Sequence, residues 1–365
     1  MLFENKKKAS LVLANGAVFE GKSFGAEGKL FGEVVFTTSM VGYQETLTDP
    51  TYCGQLIVQT FPLIGNYGVI PADFEGSDIG PSGYIVKEWC EAPSNFRAEG
   101  DLDTFLKERG VVGLCGIDTR ALTKMIRENG VMNGVITTEP EKVDFDALKA
   151  YRVKDAVKSV SVKQVETFEN PDKKCTVAVI DYGMLKSVRT KLEQFGAEVI
   201  VCPHDIKAAQ LREMHVDGIV LSDGPGDPTE NETVIENLKE IMTMGIPLFG
   251  IGMGHEVLAL ANGFETEKLV YGHRGSSQPV KDRTTGRVYV TSQNHGYAVK
   301  ADSICSEIAE EYFVNVNDKT CEGICYTKIP AFTVQFMPDA SHGFTGTTFL
   351  FEKFFDMIEK NGEQG

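Results

Sequence analysis

The amino-acid sequence predicts an α/β protein in two parts: an N-terminal α+β half, then a half with a mostly parallel sheet covered by helices. Three observations carry this. Beyond about residue 174, apolar strand-like runs alternate regularly with amphipathic helical segments, the pattern of a parallel sheet with helices on both faces. Before that point, short β-rich runs are punctuated by Gly, Pro and Asp and interrupted by only two helices. The length, 365 residues, exceeds the roughly 100–200 residues of an ordinary domain and favours two.

In the first half, Leu11-Val-Leu-Ala, Asn15-Gly16 and Ala17-Val-Phe-Glu read as a hairpin with a two-residue turn, because Asn-Gly tolerates the positive φ of a type I′ turn. Gly32 to Thr38, Leu56 to Thr60 and Gly83 to Glu88 are further β-rich runs. Helices are expected over Asp101 to Arg109 and Thr119 to Asn129, each followed by a glycine where a helix stops. Between about Pro140 and Lys174 the sequence becomes charged and weakly periodic, which places the boundary there.

In the second half the expected strands are Thr176 to Ile180, Glu198 to Val201, Gly218 to Leu221 and Pro247 to Ile251. Helices are expected between and after them: Leu185 to Phe195, Ile206 to Met214, Thr233 to Met244 and His255 to Ala261. The run Phe349-Leu-Phe-Glu-Lys-Phe-Phe-Asp-Met carries aromatics at helical spacing and reads as a helix stripe facing the core. Ligands on such sheets sit at the carboxyl ends of the strands, so chemistry is sought in the loops there.

Composition narrows the function classes. With 36 Lys plus Arg against 52 Asp plus Glu, the formal charge is −16. So acidic a surface repels phosphate backbones and anionic membrane faces, so neither nucleic acid nor membrane is expected as a partner. Hydrophobic residues at 42% and charged residues at 24% are ordinary for a globular protein with a sizeable core. The eight cysteines are scattered, mostly in apolar runs, which suits reduced core thiols and a cytoplasmic protein. Cys321 and Cys325 read as packing thiols, and no metal site is expected. No run approaches the ~18 apolar residues of a membrane span.

After the strand Pro247 to Ile251 the chain reads Gly250-Ile-Gly252-Met-Gly254-His-Glu256. A Gly-x-nucleophile-x-Gly turn from strand to helix is a nucleophile elbow, which lifts the central side chain above the sheet. Here the centre is Gly252, so the elbow keeps its flanking glycines and lacks a nucleophile. Two more loops follow strands: Ser222-Asp-Gly224-Pro-Gly226-Asp-Pro228, whose backbone N–H groups suit an oxyanion or carboxylate, and Val334-Gln-Phe-Met337-Pro-Asp339-Ala. His255, His273 and His295 have no nucleophile beside them and read as hydrogen-bonded structural residues.

The chain resembles the small-subunit family of carbamoyl-phosphate synthetase, whose second domain is a class I (triad) glutamine amidotransferase. In the first half the resemblance rests on Gly32-Glu-Val-Val-Phe, Gly42-Tyr-Gln-Glu, Leu47-Thr-Asp-Pro, Phe61-Pro-Leu-Ile-Gly-Asn66 and Gly116-Ile-Asp-Thr-Arg-Ala-Leu-Thr123. In the second it rests on Gly224-Pro-Gly-Asp-Pro, Gly272-His-Arg-Gly and Ser292-Gln-Asn-His-Gly296. It implies a small-subunit domain over 1–150, a linker over 151–173 and an amidotransferase-like domain over 174–365. It also implies a large synthetase subunit as partner, to which ammonia from glutamine passes. ATP and magnesium are then expected only on that subunit, and no cofactor in this chain.

The resemblance implies a Cys-His-Glu triad at positions that here hold Gly252, Met337 and Asp339. Gly252 has no side chain, and the thioether of Met337 neither takes nor gives a proton. Glutamine hydrolysis by the family mechanism is therefore expected to be absent. The implied glutamine contacts are Thr51, Gly224, Gly226, Met253, Glu256, Asn294, Gly296 and Tyr297. Glu256 stands where the family has a glutamine amide, and its added charge is expected to repel the substrate α-carboxylate. An alternative is a non-enzymatic module that binds or senses glutamine or a related amino acid. A third reading is a hydrolase with another nucleophile, such as a serine or a water activated by Asp339, with Ser222 and Ser292 as candidates by residue type alone.

Overall fold

The structure, a computed structural model, describes residues 6–76, 80–338 and 346–363. The chain divides into two compact units, Met1–Lys154 and Asp155–Gly365.

The first unit is a closed barrel. Its strands run in the order Lys8–Leu13, Val18–Gly25, Val112–Cys115, Gly83–Ile85, Gln55–Gln59, Leu30–Thr37 and Met132–Thr137, with the last returning to the first. Alternating side chains divide between two clusters. Leu11, Val34, Leu56, Ile85 and Ile136 pack together, while Val35, Ile57 and Tyr84 face Trp89, Leu102 and Phe105. The helices fall where expected, at Leu102–Glu108, capped by the Asp101 carboxylate, and at Thr119–Asn129, capped by Asp118.

The N-terminal hairpin forms with a different turn from the one expected. Val12 pairs with Val18, the Gly16 N–H donates to the Leu13 carbonyl at 2.9 Å, and the Leu13 N–H donates to the Ala17 carbonyl at 2.9 Å. Only Gly16 of the Asn-Gly pair takes a positive φ, of 89°. Asn15 instead accepts the Ala17 N–H on its side chain at 3.0 Å. This is a longer loop closed by a left-handed glycine, not a type I′ turn.

The second unit holds one sheet. Its central strands are Ala197–Pro203, Cys175–Asp181, Gly218–Leu221, Leu248–Ile251 and Ala331–Val334, all parallel. The chain leaves Cys175–Asp181 first to one side and then to the other, and strand order reverses there. An antiparallel extension follows through Cys321–Tyr326, Ala309–Asn315, Thr266–Asp282 and Val288–Val299. Successive residues of the central strand face opposite clusters. Val177 and Val179 pack with Val188, Leu192, Phe351 and Phe354, and Ala178 and Ile180 with Val234, Leu238 and Val257. Helices thus cover both faces, as the alternating pattern predicts.

Residues 151–173, expected as a linker, contain the helix Ala156–Val160 and the edge strand Glu166–Phe168, which pairs antiparallel with Ala197–Pro203. The aromatic run near the C-terminus forms the helix Phe349–Gly362 and buries Leu350, Phe351, Phe354 and Ile358. Among the described residues no helix is long and apolar enough to cross a membrane.

The Phe354 ring is fully buried and packs against Phe249, with centroids 5.8 Å apart. Phe354→Ala should cost the second unit about 3–5 kcal/mol, read by chemical denaturation. A loss below about 1 kcal/mol would mean that the cluster collapses around the cavity.

Candidate functional site

The elbow is built by close packing. Strand Leu248–Ile251 ends at Gly252, and helix Met253–Ala261 starts at the next residue, two positions earlier than the sequence suggests. Gly250 and Gly254 flank the bend because neither place admits a side chain. A Cβ at 250 would lie 2.9 Å from the Gly254 carbonyl oxygen, and one at 254 would lie 2.3 Å from that of Leu221. Gly252 itself has φ 52° and ψ −110°, a conformation that L-residues adopt only under strain.

The space above Gly252 is filled by Asp223, the residue that follows strand Gly218–Leu221 and Ser222. A Cβ built at 252 would meet Asp223 Oδ1 at 2.0 Å and Cγ at 2.1 Å. Asp223 Oδ1 accepts the Met253 N–H at 2.9 Å and the Gly224 N–H at 2.7 Å. Burial drives the Asp223 carboxyl up to about 7, against the pull of those two donors. The sequence reading names the loop around Asp223 and not Asp223 itself. An acidic residue one position before Gly224 was the visible signal.

Glu256 lies one turn into the same helix and is buried. Burial, reinforced by Asp223, pushes its pKa well above the usual carboxylate range, while Gln335 acts in the opposite direction. Its Oε1 has no hydrogen-bond partner. Burial therefore favours the neutral form of Glu256, which works against the charge repulsion expected from sequence. A protonated carboxyl matches a carboxamide in shape.

Of the other triad positions, Met337 is 4% exposed, and its N–H donates to the Ser292 carbonyl at 3.0 Å. It lies three residues beyond Val334, whose register partner on the neighbouring parallel strand is Ile251. Asp339 lies outside the described residues. Ser222 Oγ accepts the Tyr182 N–H at 2.9 Å and donates to the Asp223 carbonyl at 2.9 Å, so its hydroxyl is engaged with backbone.

The remaining implied contacts fall on identifiable elements. Gly224, Met253 and Glu256 surround the elbow. Gly226, with φ 94°, belongs to the same loop as Gly224. Asn294, Gly296 and Tyr297 lie on strand Val288–Val299, against which helix Met253–Ala261 packs. Thr51 belongs to the first unit, in the 3-10 turn Pro50–Tyr52, where its hydroxyl donates to Asp49 Oδ1 at 2.6 Å.

The histidines are held by neighbours. His255 Nδ1 lies 2.7 Å from Thr333 Oγ1, and burial lowers its pKa to about 3. His295 Nδ1 lies 2.6 Å from the Tyr297 carbonyl oxygen, and burial, with His273 nearby, drives its pKa well down. Burial also disfavours charge on His273, but Asp318 at 2.7 Å and Glu322 at 3.2 Å push its pKa up to about 9. His273, His295 and Glu322 offer ligand-type atoms within 4.8 Å of one another. Glu322 is already engaged, accepting from Gln293 and Asn315 at 2.9 Å each. The cluster was not legible in sequence, because a sheet extension brings its members together from distant strands.

All eight cysteines are free thiols. Cys321 is buried, and burial raises both its pKa and that of Cys325, as suits packing residues.

A glycine elbow at the carboxyl end of a parallel sheet, beside a donor loop, is where such folds hold a ligand. Residues 178–357 match glutamine amidotransferase class-I, and residues 11–136 match the carbamoyl-phosphate synthase small chain, CPSase domain. Over 360 residues the chain is 46% identical to the carbamoyl phosphate synthase small chain of Bacillus cereus (strain ATCC 10987 / NRS 248), covering 98% of each. It is 44% identical over 372 residues to that of Syntrophotalea carbinolica, covering 97% of this chain and 98% of the relative. It is also 44% identical over 361 residues to the pyrimidine-specific small chain of Bacillus subtilis (strain 168), covering 98% of each. The chain belongs to the carbamoyl-phosphate synthase small-chain family.

Asp223→Asn keeps an oxygen acceptor for both N–H donors and removes the titration. The Asp223 pKa is raised from 3.8 to about 7 in the fold, so the folded state holds this proton more tightly than the unfolded chain does. That contribution to stability is complete below about pH 4 and is lost as pH rises through about 7. Relative to the parent, Asp223→Asn should therefore gain stability between pH 5 and pH 8, by up to roughly 3 kcal/mol in denaturant titrations. A difference that does not change with pH would refute the assignment.

Proposed function

We propose that this chain is the small subunit of a carbamoyl-phosphate synthase whose own glutaminase is lost, so that the complex runs on free ammonia. The observation that carries this reading is the elbow. A backbone turn built to present a nucleophile ends in Gly252, which has no atom to attack an amide. Met337, at the position of the family's base, is a buried thioether that cannot accept the proton of a nucleophile. When triad residues act as a unit, losing one removes nearly the whole contribution, on the order of 10⁶ in kcat in subtilisin.

The partner in this reading is a large synthetase subunit, which carries ATP and magnesium and uses ammonia. Carbamoyl phosphate serves arginine and pyrimidine synthesis, and the pyrimidine-specific name of the Bacillus subtilis relative supports the second destination.

The test is carbamoyl phosphate formation by the chain assembled with its large subunit, supplied with glutamine or with ammonium. Product is expected on ammonium alone, and glutamine hydrolysis at a rate typical of the family would sink the reading. Gly252→Cys by itself should not restore glutaminase, because the new thiol would have Met337 where its base should be. Measurable turnover in that variant would show that another group supplies the proton transfer.

A further inference from the structure

We infer that Asp223 is an internal plug: its carboxyl group is the resident ligand of the elbow's two backbone donors and occupies the volume that a side chain at 252 would need. Both donors converge on one oxygen, Met253 N–H at 2.9 Å and Gly224 N–H at 2.7 Å. Two N–H groups aimed at a single oxygen are the arrangement that stabilises a developing oxyanion. Here that place is taken by the chain's own carboxyl.

The aim of the plug is set by backbone. Ser222 bridges the Tyr182 N–H and the Asp223 carbonyl through its hydroxyl, and the Gly254 N–H donates to the Ser222 carbonyl at 3.0 Å. Gly224 presses so close that a Cβ there would lie 2.4 Å from the Tyr182 carbonyl oxygen. The segment 222–224 therefore has little freedom to swing. Asp223 is 6% exposed, so its carboxyl meets little solvent. The overlap with a built Cβ at 252, at 2.0 Å, is too close for both groups to coexist. Only a glycine at 252 admits this rotamer, and an anionic ligand reaches the two donors only by displacing Asp223.

The inference rests on reading 252 as an emptied nucleophile position. Its test uses anion binding and thiol exposure instead of catalysis, so its failure would leave that reading standing. In the full chain carrying Asp223→Ala, sodium formate should raise the melting temperature by about 2–4 °C over sodium chloride of equal ionic strength, as a ligand filling the vacated cradle would. The parent should show no such difference. An equal shift in both proteins, or none in either, overturns the plug.

A second measurement compares Gly252→Cys with Gly252→Cys/Asp223→Ala by iodoacetamide labelling. Peptide mass spectrometry separates position 252 from the eight native cysteines. Labelling there should be about tenfold or more slower while Asp223 is present, since its carboxyl and the new side chain compete for one volume and crowd the sulfur. Equal rates refute the occlusion. If Gly252→Cys does not fold, the formate comparison decides alone, because it leaves Gly252 in place.

Discussion

The second unit depends on how closely its backbone approaches itself at the turn 250–254. Strand Leu248–Ile251 is inserted between two parallel neighbours, pairing Leu221 with Gly250 and Ile251 with Val334. The helix that follows must start at once in order to cover Ala178 and Ile180. That requires a reversal of direction within one residue, and the reversal brings Gly250 and Gly254 into carbonyl contact. The three glycines are therefore structural before they are catalytic. A chain that loses its nucleophile must still keep them, or the helix cannot lie on the sheet. This explains how an elbow survives intact without the side chain it exists to present.

Electrostatics at the elbow follow from the same packing. Asp223 and Glu256 are enclosed together with no cation beside either among the described residues, and burial moves both toward their neutral forms. The cluster around His273 shows the opposite solution: a buried imidazole between two carboxylates is held charged, with Asn315 and Gln293 satisfying the remaining lone pairs. The first arrangement stays sensitive to protonation, and the second is a fixed ion network that ties the antiparallel strands together.

Most of the fold was legible because its signals are local. Alternation of period 2 and period 3.6 and glycine stops place the helices of the first unit and the parallel strands of the second within a few residues. Barrel closure of the first unit was not legible, since it depends on pairing Lys8–Leu13 with Met132–Thr137, more than a hundred residues apart. The hairpin turn was misread because Asn15 stabilises the loop through its side chain, which competes with the positive φ that a type I′ turn demands. At the site, the missing nucleophile could be read from one letter at 252. The role of Asp223 could not, because it depends on a rotamer and on two backbone N–H groups from different loops. Nor could the state of Glu256, whose charge sequence supplies and burial disfavours.

The glycine at 252 and the aspartate at 223 are physically coupled. A side chain at 252 would stand in a strained backbone conformation, a cost of order 1–3 kcal/mol, and would leave no room for the Asp223 carboxyl. With glycine there, the strain is relieved, and two buried N–H donors would be left without an acceptor, at about 1–3 kcal/mol each. Asp223 supplies that acceptor, at the expense of a buried acid. Each residue thus makes the other tolerable, and replacing either alone leaves a clash or an unpaired polar group. Physical coupling of this kind makes either position hard to change by single steps, even where the surrounding fold is fully kept.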